Sequence, residues 1–140
     1  MKGSPAAVVP GSKAARPAPG DGLRRRLRAE AQRGNVYAPD CPSRALLDHV
    51  TTRWGVLVLS LLIDRPHRFA ELASTVAGVS DKMLSQTLKT LTADGFVERV
   101  VDGGPPVRVE YRLSAAGTEV ATRVAELVEW LEVNVGAIEA

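Results

Sequence analysis

Arg68-Phe-Ala-Glu-Leu-Ala-Ser-Thr-Val-Ala-Gly78-Val-Ser80-Asp-Lys-Met-Leu-Ser-Gln-Thr-Leu-Lys-Thr-Leu-Thr-Ala-Asp-Gly95-Phe-Val-Glu-Arg-Val-Val-Asp-Gly-Gly-Pro-Pro-Val-Arg-Val-Glu-Tyr-Arg-Leu113 decides the fold. The first part reads as a short helix over 69–77, ended by Gly78 in the left-handed conformation. Ser80 then offers a hydroxyl that accepts a free backbone N–H, starting a second helix over 81–94 that stops at Gly95. A strand over 96–101, a tip at Asp102-Gly-Gly-Pro-Pro106 and a strand over 107–113 form a hairpin. In the second strand Val107, Val109, Tyr111 and Leu113 alternate with Arg108, Glu110 and Arg112, the period of a half-buried strand. Two helices across a tight turn, with a hairpin beside them, predict a winged helix-turn-helix. The class is mainly α with a small antiparallel β-wing, an architecture that presents one helix to the DNA major groove.

The second helix of the motif has two faces. Leu84, Leu88 and Leu91 fall at i, i+4 and i+7 and face the core, with Met83 and Thr87 flanking. Lys82, Ser85, Gln86 and Lys89 fall on the other face. Glutamine can bond an adenine edge bidentately, lysine reads guanine or phosphate, and serine reads either, so this composition suits base reading. Ser80, at the start of the helix, is a candidate phosphate contact. Arg108 beside the wing tip and Arg68 before the first helix are further candidate phosphate contacts. Arg99 and Arg112 face a different alternative, pairing with Glu98 and Glu110 across the hairpin.

Outward from the motif, Pro42 suits the first turn of a helix capped by Cys41 or Asp40. Ala45, Leu46, His49 and Val50 form its apolar-leaning face. The run Trp54-Gly-Val-Leu-Val-Leu-Ser-Leu-Leu-Ile63 is apolar nearly all round, which predicts a central buried helix over 53–63. His67-Arg68 can add a short third strand to the wing. Ser114 caps a long last helix with Val120, Val124, Leu127, Val128, Leu131 and Val135 on one stripe. A domain this small covers only part of such a helix, so the stripe predicts a homodimer. Leu46, Val124, Leu127, Leu131 and Val135 are the candidate interface residues.

The 140 residues hold one domain and an appendage, with 45% hydrophobic residues to build a core. Residues 1–20 are rich in Ala, Pro, Gly and Ser and are expected to be disordered. Residues 21–40 form a basic extension with helical propensity, and the folded domain is expected over 41–140. The net charge of +2 conceals a division. Residues 1–33 carry eight basic groups against two acidic ones, whereas the remainder carries ten against fourteen. A DNA-binding domain with that balance must segregate its charges, and the basic extension is a candidate arm for DNA phosphates. The longest apolar run is about half a membrane span, and no apolar leader core stands near the N-terminus. A cytoplasmic, nucleoid-associated protein is expected.

The ordered series Cys41-Pro42, Trp54, Arg68-Phe69-x-Glu71-Leu72, Ser80-x-Lys82-Met83-Leu84-x-Gln86-x-Leu88, Asp94-Gly95, Val97-Glu98-Arg99 and Pro105-Pro106-x-Val-x-Glu110-Tyr111 resembles the HxlR-type winged helix-turn-helix regulators, bacterial relatives of the MarR group. The resemblance covers about 41–132. It implies a homodimer joined through its first and last helices, with each domain on one half of an inverted repeat. It also implies transcriptional control, with an oxidant or small-molecule effector in some members. Residues 1–40 fall outside the usual pattern, and Ala70 stands where many members carry a capping Asn or Ser.

In some members a cysteine near the start of the first helix senses oxidants, and Cys41 matches that position. A helix start stabilises a thiolate, the nucleophilic form. The alternative is a small buried hydrophobe. As the single cysteine of the chain, Cys41 has no internal disulfide partner. His49 and His67 lack metal-ligand spacing with Cys41. Neither a metal nor a cofactor is expected. No phosphate-cradling glycine loop, paired catalytic carboxylates or base beside the thiol points to an enzyme. A winged-helix module that binds protein instead of DNA is the competing reading, favoured by the acidic domain. Its mark would be an affinity insensitive to salt.

Overall fold

The computed structural model describes residues 33–139. The expected disordered tail, and all of the basic extension except residues 33–40, lie outside them. Among these residues five helices and one hairpin follow in chain order: α1 (Pro42–Val50), α2 (Arg53–Leu62), α3 (Phe69–Thr75), α4 (Asp81–Ala93), β1 (Val97–Asp102), β2 (Arg108–Leu113) and α5 (Ala115–Glu139). Among the described residues no single helix is long and apolar enough to cross a membrane.

Helix α2 is the axis of the core. Thr52 caps it by accepting the Gly55 N–H at 3.0 Å. Its Val58, Leu59 and Leu62 are buried against Leu72 of α3, Leu84, Leu88 and Leu91 of α4, Val97 of β1 and Ala121 of α5. Each fully buried leucine of this set contributes roughly 1.5–3 kcal/mol by leaving water. Burial is not complete round the helix, since Trp54, Val56 and Leu57 are only half-buried and Ile63 beyond its end is exposed.

The helix-turn-helix forms as its sequence predicts, with the first helix ending two residues and the second one residue earlier than expected. Helix α3 ends at Thr75, because Val76 leaves the helix to bury its side chain, and Gly78 then takes φ +91°. At its start the Glu71 carboxylate accepts the Arg68 backbone N–H at 2.9 Å. Arg68 is thus the N-cap, and Ala70, the second helical residue, stands inside the helix instead of at its cap. Ser80 accepts the Met83 N–H at 3.0 Å and caps α4. Gly95, at φ +86°, ends α4 and turns the chain into β1.

The hairpin pairs Val97 with Leu113 through to Asp102 with Arg108, so the second strand starts one residue later than its alternation suggests and Val107 is exposed. His67 and Tyr111 exchange two backbone hydrogen bonds, of 3.0 and 2.8 Å, which reduces the expected third strand to one bridge. At the base, Ser114 accepts the Gly117 N–H at 2.9 Å and so caps α5. Gly117 presses on the Phe96 carbonyl so closely that a Cβ would overlap it, 2.7 Å from the carbonyl carbon. Helix α5 runs for 25 residues, about 37 Å at the α-helical rise. Its first half packs on the core through Val120, Ala121 and Val124.

The folded part begins before Cys41. Residues 34–40 form turns that return to α1, with Arg44 donating to the Val36 carbonyl at 3.4 Å.

Candidate nucleic-acid interface

Helix α4 is braced from behind and open in front. Leu84, Leu88 and Leu91 are at most 2% exposed, while Lys82, Gln86 and Lys89 lie in solvent and Ser85 is half-buried. The buried leucines are spaced four and then three residues apart, so the polar set between them must face outward. Met83, expected beside the core, is 44% exposed and joins the outer face. The reason is its position one residue before Leu84, which rotates it off the leucine stripe. The 13-residue helix is about 20 Å long, and its polar edge fits a groove about 12 Å wide.

Two clefts border this edge. On the wing side Ser85, Lys89, Thr92 and Arg99, with Leu88 and Tyr111, line a cleft of about 340 Å³. On the other side His49, Thr52 and Trp54 face Met83, Gln86, Thr87 and Thr90 across about 160 Å³. The outward row thus divides, with Ser85 and Lys89 beside the hairpin and Gln86 beside the α1–α2 corner.

The wing arginines have different surroundings. Arg112 is paired with Glu98 at 2.9 Å, as the cross-strand alternative predicts. Arg99 stands opposite Tyr111 and lines the cleft with Lys89, and it makes no ion pair among the described residues. The alternation of β1 places Glu98 and Arg99 on opposite faces, a signal that could have separated the two arginines. Arg108 is exposed opposite Asp102 at the end of the hairpin. Arg68 is exposed just before α3. Ser80 is exposed, and its hydroxyl oxygen is already the acceptor of the helix cap.

Cys41 occupies the N-cap position of α1 but caps it with no side-chain bond. Its sulfur instead accepts the Asn35 N–H at 3.1 Å and lies 3.1 Å from the Ser43 hydroxyl. The Ser43 hydroxyl first, then the Asn35 N–H, hold the thiol below its usual pKa by stabilising the thiolate.

The candidate interface residues fall into two groups. Val124 turns inward onto its own core. Leu46 lies at the edge of exposure, while Leu127, Leu131 and Val135 are exposed, together with Trp130, Val133 and Ile138. The second half of α5 therefore carries an apolar face that the described residues leave uncovered.

Comparison with known proteins resolves the family. The model of the HxlR-like helix-turn-helix family matches residues 49–139. The chain belongs to the HxlR-like family. It is 44% identical over 114 residues to the HTH-type transcriptional regulator YtfH of Escherichia coli, covering 81% of this chain and 90% of that protein. The structure of the transcriptional regulator ytfH from Salmonella typhimurium superposes with a TM-score of 0.71 at 47% identity, over 76% of this chain and 95% of the other. Diamide-treated YodB from Bacillus subtilis superposes with a TM-score of 0.58 at 33% identity, over 68% and 95%. As an HxlR-like protein the chain is a DNA-binding transcriptional regulator with a winged helix-turn-helix. In this HxlR-like chain α3 and α4 are the helix-turn-helix and β1–β2 the wing.

Proposed function

We propose that the protein is a homodimeric regulator that reads an inverted-repeat operator, one α4 per half-site. The observation that carries this reading is the division of α4 into buried leucines and an exposed Lys82, Gln86 and Lys89 row. Gln86 reads a base edge, Ser85 and Lys89 contact bases or phosphate, and Lys82 and Ser80 hold phosphate at the helix start. Arg68 and Arg108 bind phosphates at the two ends of the motif, Arg108 from the wing. The exposed half of α5 joins two copies through Leu127, Leu131 and Val135, with Leu46 of α1 at the edge and Val124 supporting the joint from the core side.

Oxidation at Cys41 is the switch we assign to this regulator. Its hydrogen bonds favour the thiolate, and the similarity to YodB, a protein solved both reduced and after diamide treatment, supports the assignment. Two thiols lose two protons and two electrons to the oxidant and join as a disulfide. The second sulfur comes from another copy or from a small thiol.

Selection of bound sequences from random duplex DNA tests the reading. An inverted repeat whose half-sites lie about 10 base pairs apart, or a multiple of that, is expected. Recovery of no sequence, with binding that ignores salt concentration, would favour a protein-binding module instead.

A further inference from the structure

On the side of α4 away from the wing, one cation is held ready and has no partner among the described residues. The Arg53 guanidinium carbon lies 5.3 Å from the centre of the Trp54 ring, within cation–π range. Trp54 is half-buried and touches both parts of the reading unit. Its ring edge would be 3.7 Å from a Cβ on Gly78, in the turn between α3 and α4, and it faces Met83, Gln86 and Thr87 across the smaller cleft. Arg53 itself is exposed, and no carboxylate of the described residues pairs with it, although Asp48 and Asp81 lie on neighbouring elements.

The backbone beneath Arg53 is closely held. Thr51 donates to the Leu47 carbonyl at 2.7 Å, and Thr52 bonds both the Gly55 N–H and the His49 carbonyl. At Gly55 a Cβ would lie 2.7 Å from the His49 carbonyl oxygen, so the corner cannot open without losing its packing. A guanidinium on so fixed a base gives up less freedom when it binds an anion than one on a mobile loop.

A helix seated in the major groove has a phosphate wall on either side. The wing side already carries Arg99, Arg108 and Lys89, whereas the other side carries the Arg53–Trp54 stack. We propose that Arg53 binds a backbone phosphate on the wall opposite the wing, with Trp54 as its positioning residue. This inference rests on the DNA-binding reading. It completes a two-sided grip in which the wing and the α2 corner hold opposite strands while Gln86 reads between them.

The test measures binding of the full chain as a function of salt, on a duplex of about 40 base pairs bearing the selected operator and on an unrelated duplex of the same length. Arg53→Ala is expected to weaken both complexes about tenfold and to reduce the salt slope by about 0.9, the signature of one lost phosphate contact. Arg53→Lys should retain the slope. Trp54→Leu should weaken binding with little change of slope, since it loosens the cation without removing it. An unchanged slope in Arg53→Ala would overturn the inference while leaving the DNA reading intact, provided that Lys89→Ala still lowers it. A loss confined to the operator duplex would also overturn it, because it would indicate a base contact. Absence of any salt dependence in the parent protein would remove both readings together. Thermal melting of each variant separates these outcomes from loss of fold.

Discussion

His49 Nδ1 lies 2.6 Å from Asp94 Oδ2, which bonds the last turn of α1 to the C-cap of α4. Forty-five residues separate them in sequence. The Asp94 side chain is the better buried of the two, at 13% exposure. Removing the imidazole leaves that carboxylate poorly solvated and without its bond. His49→Ala is therefore expected to cost about 1–2 kcal/mol in urea unfolding, and Asp94→Asn less, because an amide can still bond the ring.

Gln86 and Lys89 lie one turn apart on the outer edge of α4, yet their substitutions should read out differently. Gln86→Ala should cost about 1–3 kcal/mol on the selected operator and relax base preference at one position in each half-site. Lys89→Ala should weaken all duplexes alike and lower the salt slope by about 1. Titrations against matched and single-substituted duplexes distinguish the two. Equal losses for both variants on every sequence would contradict the assignment of Gln86 to a base.

The Cys41 thiolate is favoured by the Ser43 hydroxyl and the Asn35 N–H. Its alkylation rate by iodoacetamide should rise with pH to a plateau whose midpoint lies below that of a free thiol. Ser43→Ala should move the midpoint up. Diamide should change the operator affinity of the parent protein and leave Cys41→Ser unaffected. Equal affinity of the parent before and after diamide would remove the switch.

Glu71 accepts the Arg68 N–H and a bond of 3.1 Å from Arg65, and these bonds hold its carboxyl below the usual 4.5. The unfolded chain lacks them, so the folded value is the lower of the two. Their stabilisation is complete above the unfolded value and is lost as pH falls through the folded one. Glu71→Gln should lower stability at neutrality, where the carboxylate's bonds are complete, and flatten the acid limb below 4.5 so that the two proteins converge there. Urea midpoints measured across that range would show it. A parallel acid limb in the variant would argue against the assignment.

Gly117 is the point where α5 meets the carbonyl of Phe96. Gly117→Ala would ordinarily favour a helix by about 1 kcal/mol. Here the added methyl has no room, so the melting temperature should fall, with a loss of more than about 2 kcal/mol. Gly136, with open space around it, is the control, and Gly136→Ala should be neutral or stabilising.

Local pattern carried much of this molecule into view. The leucine spacing of α4, the caps at Ser80 and Ser114 and the alternation of β2 all act within a few residues, so they could be read along the chain. Long-range relations could not. The His49–Asp94 bond depends on how α1 lies across α4, and the part played by Trp54 depends on the turn at Gly78. Neither leaves a periodic trace. The turn over 34–40 was missed because its bonds are backbone and sulfur contacts in a Pro- and Gly-containing stretch that looks like linker. On α5 the apolar stripe was legible, but the place where it leaves the core, after Val124, is set by the size of the domain.

The tight seating of Gly117 on Phe96 has a mechanical result. The shaft of α5 and the hairpin cannot pivot independently, since the first turn of one is wedged against the root of the other. If two copies pair along their α5 shafts as proposed, altering the crossing of those shafts would re-aim both wing tips together. Such a lever would let an event at the joint between copies be felt at the far ends of the operator without any hinge in between.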